Sequence, residues 1–223
     1  MRLFLPMIIL ATIASSAIAG WPPEVAKEAG RLEKAGARVK DDDALPEGAR
    51  LAVSFDKLDD KTAIGLKGLK HVGKLTVEDA SHMTDKSLAV IGTFAGLQEL
   101  SLTNPGMTNT GISSLKGLKE LRKLYLIDAA KVTDAGVGSL KSLDKLEELD
   151  MSGSGITNAA GSTFKELPNL TLLAVPKTKF GDTGAAYLKE LKSLRKLEAV
   201  NTDVSVKAAM ALEAAIKGVR VRR

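Results

Sequence analysis

The side chains best suited to chemistry are few and scattered. His71 and His82, with Glu78, Asp79 and Asp85, form the one group whose types suit a metal ion. Their spacing fits neither an H-E-x-x-H helix pair nor a calcium-binding loop, and predicts surface histidines beside helix-capping acids. The segment from Gly68 to Lys74 resembles a phosphate-binding loop. However, Leu75 stands where Ser or Thr would hold magnesium, and Gly73 and Lys74 lead into a strand rather than a helix. Gly153-Ser154-Gly155 lacks the G-x-S-x-G spacing of a nucleophile turn and has no nearby histidine. The chain contains no cysteine, which removes disulfides, thiolate zinc sites, iron–sulfur clusters, a thiol nucleophile and a bacterial N-terminus lipidated on cysteine. No acid, base, nucleophile or metal set recurs at workable spacing. The expectation is a non-enzymatic protein with no catalytic residue, no metal and no cofactor. Asn169-Leu170-Thr171 is an acceptor sequon, relevant only where asparagine is glycosylated.

The elements beneath these residues are more regular than the residues themselves. The 223-residue chain is 44% hydrophobic but only 4% aromatic, and 32 of its residues are leucine. A leucine-rich, aromatic-poor core suggests many similar small layers. At the N-terminus, Arg2, the apolar run from Leu3 to Ile13 and Ala17-Ile18-Ala19 read as a secretory signal cleaved after Ala19. The run is short for a membrane span, and no later segment is apolar enough for one. Export without cysteine suits a bacterial envelope protein. Loss of Arg2 lowers the formal charge from +5 to +4, a mild excess unlike that of a dedicated nucleic-acid binder.

Self-similarity organises the remainder. Leu51, Leu75, Leu100, Leu124, Leu149, Leu173 and Leu197 recur at intervals of 24, 25, 24, 25, 24 and 24. Each opens an alternating pair with the residue two places on, as in Val53, Val77, Leu102, Leu126, Met151, Val175 and Ala199. Period two predicts strands with one buried face. Seven or eight residues after each anchor comes another apolar residue: Leu58, Met83, Met107, Val132, Ile156, Phe180 and Val204. N-cap pairs follow, such as Thr84-Asp85, Thr108-Asn109, Thr133-Asp134 and Thr157-Asn158. Next comes a small residue: Thr62, Ser87, Gly111, Gly136, Ala160, Gly184 and Ala208. Leucines at three-residue spacing, as in Leu115, Leu118 and Leu121, then predict a short helix and a turn into the next strand.

This pattern, seen clearly in residues 121–140 (LRKLYLIDAAKVTDAGVGSL), resembles the leucine-rich repeat. It is most similar to the ribonuclease-inhibitor-like variant with Leu-Thr-Asp-x-Gly-Leu after the strand, which is also found in many exported bacterial proteins. The resemblance covers roughly residues 51–217. It implies an α/β fold: a curved solenoid of about seven repeats of 24–25 residues, with a parallel concave sheet and short convex helices. Many such repeats carry a loop Asn that bridges successive turns. Here Asp56, Ala80, Pro105, Ala129, Ser154, Thr178 and Thr202 stand in its place. Side-chain oxygens should therefore bridge in four repeats, while Ala80 and Ala129 predict irregular backbone turned to water at 80–82 and 129–131. The expected organisation is a signal peptide at 1–19, a helical cap and linker at 20–50, repeats at 51–205, and a capping helix and strand at 206–223. Glu24 to Ala35 supplies the first cap helix, Arg38 to Lys40 an edge strand, and Asp41 to Gly48 a polar linker.

Two surface columns are candidates for binding. Tyr125, Ile127, Leu172, Pro176 and Val200, edged by Glu148 and Asp150, form an outward mixed patch on the concave strands, suited to a protein or peptide partner. Lys67, Lys116, Lys141, Lys165 and Lys189 follow the mid-helix apolar position and predict a convex cation ladder, able to attract an anionic polysaccharide. No aromatics interleave that ladder to stack bases, which argues against nucleic acid. The favoured expectation is an exported, monomeric, non-catalytic envelope module binding a protein on its concave face. The alternative is an adhesive envelope protein gripping polysaccharide through the lysines.

Overall fold

The computed structural model describes residues 21–223, so the expected signal segment lies outside the described residues. Among the described residues nine strands form one sheet whose spatial order is their chain order. Helix α1 (Pro23–Lys34) leads into β1 (Arg38–Asp41), which pairs antiparallel with β2 (Leu51–Lys57). From there each strand is followed by a helix and adds in parallel: α2 (Asp60–Gly65), β3 (Val72–Asp79), α3 (Asp85–Ile91), β4 (Glu99–Thr103), α4 (Asn109–Ser113) and β5 (Lys123–Ile127). The series continues with α5 (Asp134–Val137), β6 (Glu148–Asp150), α6 (Gly161–Phe164), β7 (Leu172–Ala174), α7 (Asp182–Tyr187), β8 (Lys196–Glu198), α8 (Val206–Ala215) and β9 (Arg220–Arg222). Between the ends the helices are one or two turns long, against 12 residues in α1 and 10 in α8, and several run on into a 3₁₀ turn. Such short helices would be unstable alone and are held by packing.

The leucine columns lie inside, as their spacing requires. Leu100, Leu124, Leu149, Leu173 and Leu197 are fully buried, as are Leu115, Leu140 and Leu188 from the helical side. Burying one such side chain contributes about 1.5–3 kcal/mol relative to exposure. The core is therefore a stack of layers that each depend on the next.

Strand β2 departs from the expected alignment. Val53 pairs with Leu75 and Phe55 with Val77, so the first interval is 22 residues, and Ser54 rather than Ala52 lies beside Thr76. Phe55 is 1% exposed and fills the core place assigned to Val53. A slip of two residues keeps the same side chains facing inward, so alternation alone cannot detect it.

The loop column also differs from expectation. Ala80 and Ala129 are fully buried and face the core. Ala80 makes ordered bonds between turns: its N–H donates to the Thr103 carbonyl at 2.9 Å, and its own carbonyl accepts from Gly106 at 3.4 Å. At 129–131 the bonds are local, with Ala130 N–H on Asp128 and Val132 N–H on Ala129. Ser154, Thr178 and Thr202 do not bridge turns. Each hydroxyl donates to the carbonyl three residues back, at 2.6–2.7 Å. Asp56 instead pairs with Arg38 at 2.7 Å.

Bridging between turns falls to the helix starts. Asp85 accepts from the Thr108 N–H and hydroxyl, both at 2.7 Å. Asp60, Asn109, Asp134, Asn158 and Asp182 reach the next turn in the same way, at Thr84, Thr133, Thr157, Gly181 and Ser205. The small residues at the following step are required here: a Cβ on Gly111 or Gly136 would fall 2.5 Å from the Asp85 or Asn109 side-chain oxygen.

Candidate concave binding face and loop rim

Three parallel rows of side chains cross the concave face. The row at the first outward place of each strand reads Lys74, Glu99, Lys123, Glu148, Leu172, Lys196 and Arg220. The middle row reads Thr76, Ser101, Tyr125, Asp150, Ala174, Glu198 and Arg222. The third lies at the strand ends and includes Thr103, Ile127, Ser152, Pro176 and Val200; its register is fixed by Asp128 N–H on Ser152, Gly153 N–H on Pro176 and Lys177 N–H on Val200. Alternation places these side chains outward because their neighbours are the buried leucines.

The charged row is largely self-neutralised. Lys74 pairs with Glu99 at 2.7 Å and Lys123 with Glu148 at 3.0 Å. Glu198 receives Lys196 at 2.7 Å and Arg222 at 3.6 Å. The Tyr125 hydroxyl donates to Glu148, which links the first two rows. Partial burial, then the Glu148 bond, raises the Tyr125 pKa well above its ordinary value. Burial alone would raise Glu148, but bonds from Tyr125 and Lys123 hold it below the ordinary carboxylate range. Tyr125 thus stays neutral with its hydroxyl already committed, and offers a ring face to any visitor.

The sequence-derived patch is only partly contiguous. Tyr125, Ile127, Leu172, Pro176 and Val200 are all half-buried. Tyr125 and Ile127 share β5, and Pro176 lies beside Val200, but Ser152 separates Ile127 from Pro176. Leu172 sits two rows away, between Glu148 and Lys196. Asp150 lies between Tyr125 and Ala174 and accepts from the Ser152 N–H at 2.8 Å. Lys74, Glu99 and Lys123, each preceding an anchor leucine, form an alternating charge series in the sequence, and only the strand register places them on the concave face.

The convex lysines are less available than a bare column would be. Lys141 pairs with Glu166 at 2.9 Å and Lys165 with Glu190 at 3.4 Å, each acid one turn further on. Lys165 also lies 5.8 Å from the Tyr187 ring centre. Lys67, Lys116 and Lys189 extend into solvent.

The metal-like group does not assemble. His71 faces α1, where its Nδ1 lies 3.2 Å from Glu28 at an angle too poor for a hydrogen bond, while its backbone N–H donates to Glu28 at 3.0 Å. His82 is exposed beside Lys57 and Asp59. Asp79 caps Ser81, and Asp85 belongs to the inter-turn bridges. Among the described residues no cluster could hold a metal ion.

The loops after the strands form a second feature, which the sequence reading missed. Asn104, Asp128, Lys177 and Asn201 adopt positive φ of 53–57°, and Gly153 takes 68°. Each stands four residues after its anchor leucine. Ser154, Gly155, Thr157, Lys177, Thr178, Lys179 and Asn201 line an open depression of about 550 Å³ on this rim.

The in-register parallel strands, convex short helices and layered leucines define a leucine-rich-repeat solenoid. The chain is similar in structure to internalin C2 from Listeria monocytogenes, with a TM-score of 0.54 and 21% identity over 74% of this chain and 73% of that one. No protein-family model and no curated protein matches the sequence.

Proposed function

We propose that this chain is a non-catalytic binding module that receives a protein or peptide on the concave face between β5 and β8. One observation carries the reading. Before β5 the face bears hydroxyls and the paired Lys74 and Glu99, while from β5 onward Tyr125, Ile127, Pro176 and Val200 stand among the paired charges, half-buried but covered by no other part of the described chain. Aromatic and aliphatic anchors inside a polar rim are where binding energy concentrates in protein interfaces. Export to the cell envelope is supported by Arg2, the apolar run to Ile13 and Ala17-Ile18-Ala19. No helix among the described residues is long and apolar enough to cross a membrane. The polysaccharide reading loses support from the pairing of Lys141 and Lys165 with carboxylates.

The test is affinity capture from envelope extracts with the parent chain and with Tyr125→Glu/Ile127→Glu. A specific partner should be recovered by the parent and reduced at least about tenfold with the variant, a loss of about 1.4 kcal/mol. Equal recovery by both proteins, each shown to be folded by circular dichroism, would refute use of this face.

A further inference from the structure

We infer that the loop rim beside Pro176 and Val200 is an acidic-peptide site, in which Lys177 and Lys179 bind the carboxylates of the partner segment lying on the concave face. The inference rests on the concave reading and adds the chemistry of the partner.

The first observation is a residue in an unfavourable place. Five successive turns require positive φ after the strand, and four satisfy it with Asn, Asp, Gly and Asn. Those types tolerate left-handed backbone, through a missing Cβ or a short polar side chain that bonds locally. Lys177 takes φ 55° without either advantage. A long cation there stabilises nothing in the fold that asparagine would not serve better. Strain kept at one member of a repeating column points to a task for that side chain.

The second observation is the surroundings. Lys177 and Lys179 leave the same loop two residues apart and line one depression, whose wall towards the preceding turn is Ser154 and Gly155. On the same rim Lys57 is held by Asp79 at 3.4 Å, but neither Lys177 nor Lys179 is in an ion pair among the described residues. Lys131 projects two turns earlier, its ammonium 3.4 Å from the Gly106 carbonyl. The nearer acids are partly engaged: both Asp182 oxygens are taken up by Ser205, while Asp203 is exposed one turn further on.

The third observation is continuity. Lys177 directly follows Pro176, and its N–H donates to the Val200 carbonyl at 3.0 Å. A peptide whose apolar residue covers Pro176 and Val200 would therefore carry its next residues over the two ammonium groups. Exposed charge pairs of this kind are individually weak, so two acting together with apolar contact are needed for useful selectivity.

The test uses a fluorescent oligoglutamate of about ten residues led by two leucines to cover Pro176 and Val200, with the matching leucine-led oligoglutamine and dextran sulfate as comparators, read by anisotropy at low salt. The parent should bind oligoglutamate more tightly than oligoglutamine, and Lys177→Asn/Lys179→Asn should weaken that binding about tenfold. A convex control, Lys67→Asn/Lys189→Asn, should change it less than about twofold. Lys177→Asn alone should also raise the melting temperature by about 1–3 °C, because the strain is relieved. A more stable protein that binds worse separates this site from a folding defect. Unchanged oligoglutamate affinity in the Lys177/Lys179 variant, or an equal loss in the convex control, would overturn the proposal. So would a stronger dependence of dextran sulfate than of oligoglutamate on these two lysines. Failure here with Tyr125-dependent partner capture intact would remove only the acidic-peptide site. Loss of that Tyr125 dependence would remove the concave reading itself.

Discussion

Tyr125 and Gly153 show how one residue's surroundings decide its use. Tyr125 was legible as an outward strand residue from alternation alone. Its bond to Glu148 was not, because the partner lies 23 residues away and depends on the register of β5 against β6. Gly153 lies in a Gly-Ser-Gly segment without the spacing of a nucleophile turn, and its role is conformational. With φ 68°, an added Cβ would lie 2.3 Å from the Asp128 Oδ1 and 3.1 Å from the Asp128 Cα. Gly153→Ala should therefore cost about 1–2 kcal/mol through left-handed strain and crowding. Urea denaturation measures this, and an unchanged midpoint would contradict it. Lys177 was invisible as a special position, since positive φ leaves no mark when the residue type is unfavourable.

The helix starts carry the lesson at the scale of elements. Thr-Asp and Thr-Asn pairs predict N-caps, and Thr84, Thr108 and Thr157 do cap their own helices. The adjacent Asp or Asn reaches across to the next turn, which capping preference alone does not reveal. These bonds predict an acid response. Hydrogen bonds from the Ser205 N–H and hydroxyl hold Asp182 below its ordinary pKa, and bonds from Ser87 and Thr84 outweigh burial to do the same for Asp60. A lowered folded pKa gives stability that is present above the unfolded value, near 3.9, and is lost as pH falls through the folded one. Asp182→Asn cannot titrate but can still bond, as Asn109 does to both the N–H and hydroxyl of Thr133. It should match the parent at neutral pH and lose less stability between about pH 4 and pH 2. Parallel acid-denaturation curves for the two proteins would exclude this contribution.

Across the whole molecule, stability depends on covering the ends of the stack, since each turn packs only on its neighbours. The first cap is joined by more than apolar contact. Glu28 on α1 accepts from the backbone N–H groups of Lys70 and His71, and Arg31 donates to the Gly65 and Lys67 carbonyls. Glu28→Ala should leave those N–H groups unpaired beside the core and cost about 1–3 kcal/mol. Glu24→Ala, on the exposed side of the same helix, should cost under about 0.5 kcal/mol. Equal effects in a denaturant titration would show that the clamp contributes nothing.

The sequence by itself determined the repeat and which side chains face inward, because a buried column recurring about every 24 residues permits few other arrangements. It also leads to the expectation that no catalytic set is spaced for chemistry. Tertiary structure alone decided the two-residue shift at Phe55, the transfer of inter-turn bridging to Asp and Asn at the helix starts, and the strained Lys177 beside Pro176. Each depends on register between turns or on a backbone angle. Periodicity fixes inside against outside, but it carries no information about which residue of one turn lies against which residue of the next.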